Sequence, residues 1–354
     1  MGEVTGEISP VVYNGVWESL VIHSLRERES AGSNPATPIM IFRWSTSGFD
    51  ADLMLASAKS LYPFFPDATY VAVCNGDRAA FDRMQSMLTA PFTKAFSSLD
   101  YEWPFVFDSS GKRCFWKKWW PAYLPQLGGT QFHIDNDILF RAKPSRFLGD
   151  FDVYCLTEDI DFDRGRLGYN KVLFLTAGCL AELCKRDLDW VPTNTGVVGV
   201  TEEASHTFWP ALYHTANNLY TQGLDMFQTA EQACVGQVAQ LQNRYDVIQL
   251  RMEDRHYIAT AYFLLYQDEH NIPSDMFVGL HFIDRAKRIM KQFVKDQGLT
   301  DWTASKIGIL KKYLDDPVKY GILWEMNYQD RWKADLDSLR TPPIKEGGSF
   351  SQKL

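Results

Sequence analysis

The sequence has little cysteine, and its cysteines are not arranged as metal ligands. It contains six, and no two of them form a CxxC pair, so a structural zinc site is not expected. Several lie within apolar runs, where cysteine behaves as a small apolar core residue. We therefore expect reduced core thiols at Cys74, Cys114, Cys155, Cys179, Cys184 and Cys234.

Signals for secretion and for membranes are also missing. No run approaches the roughly 20 apolar residues of a membrane span, and no N-x-[ST] glycosylation sequon occurs. Residues 1–20 contain Glu3, Glu7 and Glu18 and lack the apolar stretch that a secretion signal requires. We therefore expect a cytoplasmic protein without a transmembrane segment.

An excess of positive charge is missing as well. Lys and Arg number 36 against 44 Asp and Glu, which gives a formal net charge of −8. Because contacts to phosphate backbones need clustered basic residues, general nucleic-acid binding is not expected. Aromatic residues are plentiful, at 14% with 11 Trp, and they serve core packing as well as stacking on sugars.

Strand and helix patterns alternate in the first part of the chain. Residues 39–44 and 69–74 have the pattern of buried strands, and residues 51–61 and 78–88 that of helices. This alternation predicts an α/β fold whose parallel sheet is joined by helical crossovers.

We divide the chain into an N-terminal extension, a main domain, a C-terminal helical region and a tail whose composition predicts disorder. The respective ranges are 1–37, 38–290, 291–340 and 341–354. Within them we predict a helical Trp-rich segment at 114–120, strands at 131–134, 151–157, 247–250 and 276–280, helices at 174–186, 204–222 and 226–243, and a mostly helical region at 283–338.

The clearest chemical signal is a pair of carboxylates at a strand end. The apolar strand at 131–134 runs into Asp135-Asn136-Asp137, and apolar residues follow. Ligands bind at the carboxyl ends of strands in open α/β sheets, and two such carboxylates can hold one hard cation. A divalent ion there would neutralise charge on a leaving diphosphate. The tripeptide alone is more often a solvated turn or a pair of carboxylates that caps a loop.

Three weaker signals follow in order. Asn194, before Gly196 and an apolar strand, could hydrogen-bond sugar hydroxyls or form an ordinary turn. Glu231 and Gln232, near a predicted helix start, could contact a sugar or form a solvated pair on the helix surface. His281 could complete the metal site or be a packed histidine, with Lys287 six residues on as a phosphate partner.

The order of these motifs resembles the retaining, metal-dependent glycosyltransferases of the glycogenin and bacterial lipopolysaccharide galactosyltransferase type. That family shows Asp-x-Asp, Asn-Ser-Gly, Asp-Gln and His-x-x-Gly-x-x-Lys-Pro-Trp in order. This chain shows Asp135-Asn136-Asp137, Asn194-Thr195-Gly196, Glu231-Gln232 and His281 to Lys287. The family's basic residue before two prolines corresponds to Lys117, ahead of Pro121 and Pro125. Asp284 replaces the family's Gly, and Arg288-Ile289 replaces Pro-Trp.

The resemblance implies a GT-A fold, a Rossmann-like, mixed and mostly parallel sheet flanked by helices. It implies Mn²⁺ or Mg²⁺ held by Asp135, Asp137 and His281, and a UDP-sugar donor with a carbohydrate, glycoconjugate or protein acceptor. Retention would follow if the acceptor attacked from the leaving-group face and the departing phosphate took its proton. The donor would contact Lys117, Lys287, Arg43, Asp77 and Asn136, and Asn194, Glu231 and Gln232 would line the sugar and acceptor side.

Two other functions stay open at this stage. A nucleotidyltransferase also uses paired carboxylates with a metal; Glu158, Asp159 or Asp161 could add a third acid, although no Gly-rich loop stands beside them. A non-catalytic carbohydrate- or nucleotide-binding protein with a degenerate site would explain Asp284 and the missing Pro-Trp pair.

Overall fold

A computed structural model describes residues 39–48, 50–108, 116–118, 120–157, 191, 193–221, 230–253, 257–261, 263–266, 277–283, 286–298 and 302–316. The predicted extension at 1–37, the tail at 341–354 and the helix predicted at 174–186 lie outside these residues, and the division into domains stays a prediction. Within the described part, no helix combines the length and apolar character that crossing a membrane requires.

A seven-stranded sheet forms the centre of the fold, in the order β3-β2-β1-β4-β7-β6-β8. Its strands are β1 (Met40–Thr46), β2 (Thr69–Cys74), β3 (Lys94–Ser97), β4 (Thr130–Ile134), β6 (Val153–Thr157), β7 (Thr193–Val200) and β8 (Leu250–Glu253). Only β7 is antiparallel to its neighbours, β4 and β6, and the other described pairings are parallel. The prediction of a mixed, mostly parallel α/β sheet is therefore confirmed.

A second, smaller sheet has three strands, in the order β5-β10-β9. It consists of β5 (Ile138–Phe140), β9 (Ile258–Thr260) and β10 (Gly279–His281). The α-helices of the described residues are α1 (Ala51–Leu61), α2 (Arg78–Met87), α3 (Glu202–Thr221), α4 (Ala230–Arg244), α5 (Phe263–Tyr266), α6 (Ala286–Gln297) and α7 (Ala304–Asp315).

Apolar side chains cover both faces of the large sheet, as expected for strands that read as continuous apolar runs. On one face, Phe42 and Phe132 pack with Phe147 and with α1, and the rings of Phe132 and Phe147 lie 4.6 Å apart. On the other face, Val198 and Val200 pack against α3 and α4. The sheet is thereby packed on both faces, and its carboxyl ends can carry a site.

Several predicted elements differ from the structure. Residues 116–118 have 3₁₀ rather than α-helical conformation, and Trp120 lies in a bend where helix was predicted, since Pro121 disfavours helix at the residue before it. The strand predicted at 247–250 begins only at Leu250, because Asp246 adopts a φ of 56° after α4 and Val247 turns into the core. The later strand begins at Gly279 rather than at residue 276.

Candidate metal and donor site

The acidic tripeptide forms the turn where the chain leaves one sheet for the other. β4 ends at Ile134, and β5 of the small sheet begins at Ile138. Asn136 fastens this turn to the end of β1, because its Nδ2 donates to the Ser45 carbonyl at 2.8 Å and to Asp50 Oδ2 at 3.1 Å. Its Oδ1 is buried and makes no hydrogen bond to a described residue.

The three side chains predicted as metal ligands lie together. His281 ends β10, whose pairing with β5 sets it opposite Ile138. Its Nε2 lies 3.2 Å from Asp137 Oδ1 and 3.8 Å from Asp135 Oδ2. One ligand atom from each of the three residues lies within 4.8 Å of the others. This grouping fits a single divalent cation, and the ligand assignment stays a prediction.

Two lysines border the carboxylates. Lys287, in the first turn of α6, places Nζ 3.0 Å from Asp137 Oδ2, and Lys118 places Nζ 3.5 Å from Asp135 Oδ1. Burial by itself would raise the pKa of both carboxyls. The positive groups around them outweigh this effect, chiefly Lys118 for Asp135 and His281 for Asp137, and the pKa of each is lowered. Both aspartates are therefore ionised at neutral pH.

A bulge in β7 brings the Asn194-Thr195-Gly196 motif beside the acidic turn. Asn194 pairs with Leu156 and Val198 with Cys155, so residues 195–197 have no partner on β6. They follow β4 instead, and the Gly196 carbonyl accepts a 2.8 Å hydrogen bond from the Asp135 amide. The prediction of a turn before the strand is wrong, since Asn194 lies inside β7. Bulges commonly redirect side chains next to active sites.

Gly196 leaves room for the histidine. A Cβ at this position would lie 2.7 Å from His281 Cε1 and 2.9 Å from Asn194 Oδ1, both closer than van der Waals contact permits. Asn194 Oδ1 also accepts a hydrogen bond from the Gly196 amide at 2.8 Å. The glycine of this motif is therefore a steric requirement of the site.

Glu231 and Gln232 lie in the first turn of α4 and are 3% and 6% exposed. The alternative of a solvated pair on the helix surface is therefore wrong. Gln232 Oε1 accepts a 3.2 Å hydrogen bond from the Thr195 amide and so joins α4 to the bulge. Burial raises the pKa of Glu231 to about 7 against the opposing effect of Lys118. Glu231 thus changes charge near neutral pH.

The lysine beside the acidic turn is Lys118, the neighbour of the predicted Lys117. Lys117 is exposed, and its carbonyl accepts a hydrogen bond from the Asn75 side chain. Lys118 Nζ also lies 3.4 Å from Thr195 Oγ1 and so connects the motif to Asp135. The resemblance indicated Lys117, one position before the lysine that makes these contacts. The donor contact predicted for Lys117 stays a prediction.

Arg43 and Asp77 have structural partners away from the acidic turn. Arg43 is 1% exposed within β1, its Nη1 donates to the Ala122 carbonyl at 2.5 Å, and burial lowers its pKa to about 10. Asp77 is exposed and caps α2, since its Oδ1 accepts from the Ala80 amide at 2.7 Å. Their predicted contacts with the nucleotide remain predictions.

His133 is a site residue that the sequence motifs did not indicate. It is 4% exposed, and its Nε2 lies 3.4 Å from Asp135 Oδ1. Burial, the largest cause, lowers its pKa to about 4 although Asp135 acts to raise it, so the ring is neutral at physiological pH. The only signal in the sequence is a polar residue two positions before Asp135. Asp284, Glu158, Asp159 and Asp161 lie outside the described residues.

No model of a protein family matches the chain, and no curated protein is similar to it in sequence. The chain resembles glycosyltransferases of known structure. One is the galactosyltransferase LgtC, solved in complex with donor and acceptor sugar analogues: identity is 14%, the TM-score is 0.43, and the match covers 82% of this chain and 99% of LgtC.

Two further structures show the same level of similarity. The bifunctional glycosyltransferase WbbM is 10% identical with a TM-score of 0.49, over 86% of this chain and 53% of WbbM. Mouse xyloside xylosyltransferase 1 is 11% identical with a TM-score of 0.43, over 69% of this chain and 97% of its own. Identities this low leave the reaction to be inferred from the side chains of the site.

Proposed function

We propose that this chain is a metal-dependent glycosyltransferase that transfers a sugar with retention. Its donor would be a nucleoside-diphosphate sugar, a UDP-sugar by the motif resemblance. Its acceptor would be a carbohydrate, a glycoconjugate or a protein. The observation that carries the proposal is the convergence of Asp135, Asp137 and His281, with their ligand atoms within 4.8 Å of one another. Two lysines stand beside them, so the site suits an anionic, metal-bound ligand.

The donor atoms of this group fit Mn²⁺ or Mg²⁺. Asp137 Oδ1 is buried and has no well-formed hydrogen bond to a described residue, although His281 Nε2 lies only 3.2 Å away. A cation shared between these two buried groups would satisfy both of them. Carboxylate oxygens suit both metals, and the imidazole favours Mn²⁺ over Mg²⁺.

A cation bound here would supply Lewis-acid stabilisation of the leaving diphosphate. Lys287 would add positive charge on the same side, because its Nζ already lies 3.0 Å from Asp137 Oδ2 and its side chain is 46% exposed. Its ammonium can therefore move to a phosphate oxygen without crossing the core. Lysine acts at phosphates as such a mobile point charge.

The sugar would lie towards the bulge of β7 and the start of α4. Gln232 is held there by Thr195, and Glu231 is buried on the same helix turn. When ionised, the Glu231 carboxylate would stabilise the positive charge that develops on the anomeric carbon. Asn194 offers amide groups that can both donate to and accept from hydroxyls.

The test measures nucleoside diphosphate release from a panel of nucleotide sugars, with and without Mn²⁺. We expect metal-dependent release from one donor, with Asp137→Ala reducing turnover by a factor on the order of 10² or more. Asp67→Ala is the control, because Asp67 is exposed on the turn before β2, and it should leave turnover unchanged.

Each other outcome excludes the proposal in a different way. Pyrophosphate release in place of nucleoside diphosphate would indicate a nucleotidyltransferase. Donor binding without any release would indicate a binding protein with a degenerate site. Near-normal turnover of Asp137→Ala would exclude the metal site even if the chain transfers sugars.

A further inference from the structure

The two carboxylates of the site are held in matching ways. Asp137 has Oδ1 at 3.2 Å from His281 Nε2, and its Oδ2 is occupied by Lys287 at 3.0 Å. Asp135 has Oδ2 on the side of His281, at 3.8 Å, while its Oδ1 faces nitrogen atoms of His133 and Lys118 at 3.4 and 3.5 Å. Each carboxylate therefore directs one oxygen towards His281, the third predicted metal ligand, and the other towards a side-chain nitrogen that is not a predicted ligand.

The nitrogen groups beside Asp135 differ in how firmly they are held. His133 lies within β4, in register between Arg43 on β1 and Val198 on β7, and it is 4% exposed. Lys118 lies in a segment with 3₁₀ conformation, and its side chain is 23% exposed. Because strand pairing on both sides fixes the backbone of His133 and burial restricts its side chain, the imidazole has less freedom than the Lys118 ammonium.

We propose that His133 is a positioning residue, whose Nε2 faces Asp135 Oδ1 at 3.4 Å and so leaves Oδ2 as the oxygen of Asp135 that binds the cation. The inference rests on the proposed metal site and adds a residue that sets the orientation of one ligand. A neutral imidazole carries one N–H, and opposite the carboxylate oxygen this proton belongs on Nε2. At 3.4 Å the contact is longer than an ordinary hydrogen bond, so the N–H dipole acts mainly through its attraction to the charged oxygen.

The variants His133→Gln and His133→Met separate this role from simple packing. The two replacements have nearly the same shape and length, but only Gln carries an N–H at the distance of the imidazole Nε2. Partners that orient metal ligands typically contribute 10- to 100-fold in affinity. We expect His133→Met to weaken Mn²⁺ binding by about 10-fold or more and His133→Gln to restore most of that loss.

The measurement is the electron paramagnetic resonance signal of unbound Mn²⁺ during titration of the full chain, together with thermal unfolding in EDTA. His206→Leu is the control, since His206 is exposed on α3, and its Mn²⁺ affinity should equal that of the wild type. If His133→Met does not fold, His133→Leu takes its place against His133→Gln.

The outcomes distinguish the two levels of the argument. A wild-type chain that binds no Mn²⁺ overturns the proposed metal-dependent function itself. Wild-type binding with undiminished affinity in His133→Met overturns only the positioning role. Equal weakening in the Gln and Met variants, accompanied by equal loss of stability in EDTA, assigns His133 to packing and also overturns it.

Discussion

Glu231 allows a quantitative prediction, because its carboxyl is buried and its pKa is displaced far from its ordinary value. Burial raises that pKa from 4.5 to about 7, so the folded chain binds a proton that the unfolded chain has released. The wild type is therefore most stable relative to a Glu231→Gln variant below pH 4.5, and Glu231→Gln gains stability over the wild type as the pH rises towards 7. The stability of Glu231→Gln minus that of the wild type should grow by roughly 2 to 3 kcal/mol between pH 5 and pH 8.

The assay is urea unfolding of both chains at several pH values in EDTA, so that no bound metal contributes to the stability. The other titrating groups are present in both chains, and they cancel in the difference. Lys118 supplies a check on the cause, because its charge opposes the shift at Glu231. In a Lys118→Met background, the pH at which the Glu231→Gln advantage levels off should move upward.

A stability difference between wild type and Glu231→Gln that is constant with pH would refute this reasoning. It would mean that water reaches the Glu231 carboxyl and that the start of α4 is open. A stability advantage of Glu231→Gln that falls with rising pH would refute it more strongly, because the fold would then stabilise the ionised form of Glu231.

Two further substitutions test the geometry. Gly196→Ala should weaken Mn²⁺ binding about tenfold or more in a spin-resonance titration, since its Cβ would lie 2.7 Å from His281 Cε1. Gly308→Ala in α7 is the control, because a Cβ there meets nothing within 4 Å. Unchanged Mn²⁺ affinity in Gly196→Ala as well as in Gly308→Ala would refute the steric requirement. Asp77→Ala should lower the unfolding free energy by about 1 kcal/mol through loss of the helix cap, and an unchanged donor KM would refute the donor contact predicted for Asp77. A raised KM at unchanged stability would instead support the donor contact predicted for Asp77.

The fold was predictable where local patterns carried the information. The strands at 40–46 and 69–74 and the helices between and after them follow from apolar runs, turn residues and helix signals. The short strands β3 and β9 were missed, because three or four residues show no period. Their pairing is set by the neighbouring strands rather than by their own composition.

The site was predictable only in its motifs, and the partners of those motifs come from tertiary contacts. Asp135, Asp137 and His281 carried recognisable spacing and order. Nothing in the local sequence distinguishes Lys118 from Lys117, because which lysine faces Asp135 depends on a 3₁₀ turn and on the bulge in β7. His133 was missed for a similar reason, since its contact depends on which face of β4 it occupies.

The arrangement explains how two ionised aspartates can sit close together before any cation arrives. Burial acts most strongly to raise the pKa of Asp137, and repulsion by Asp135 adds to that effect. His281 and Lys287 beside Asp137, and Lys118 beside Asp135, outweigh both effects. Asp135 continues β4 of the large sheet and His281 ends β10 of the small one. A cation bound between them would therefore join the two sheets, and its binding should raise the stability of the whole fold as well as activate the donor.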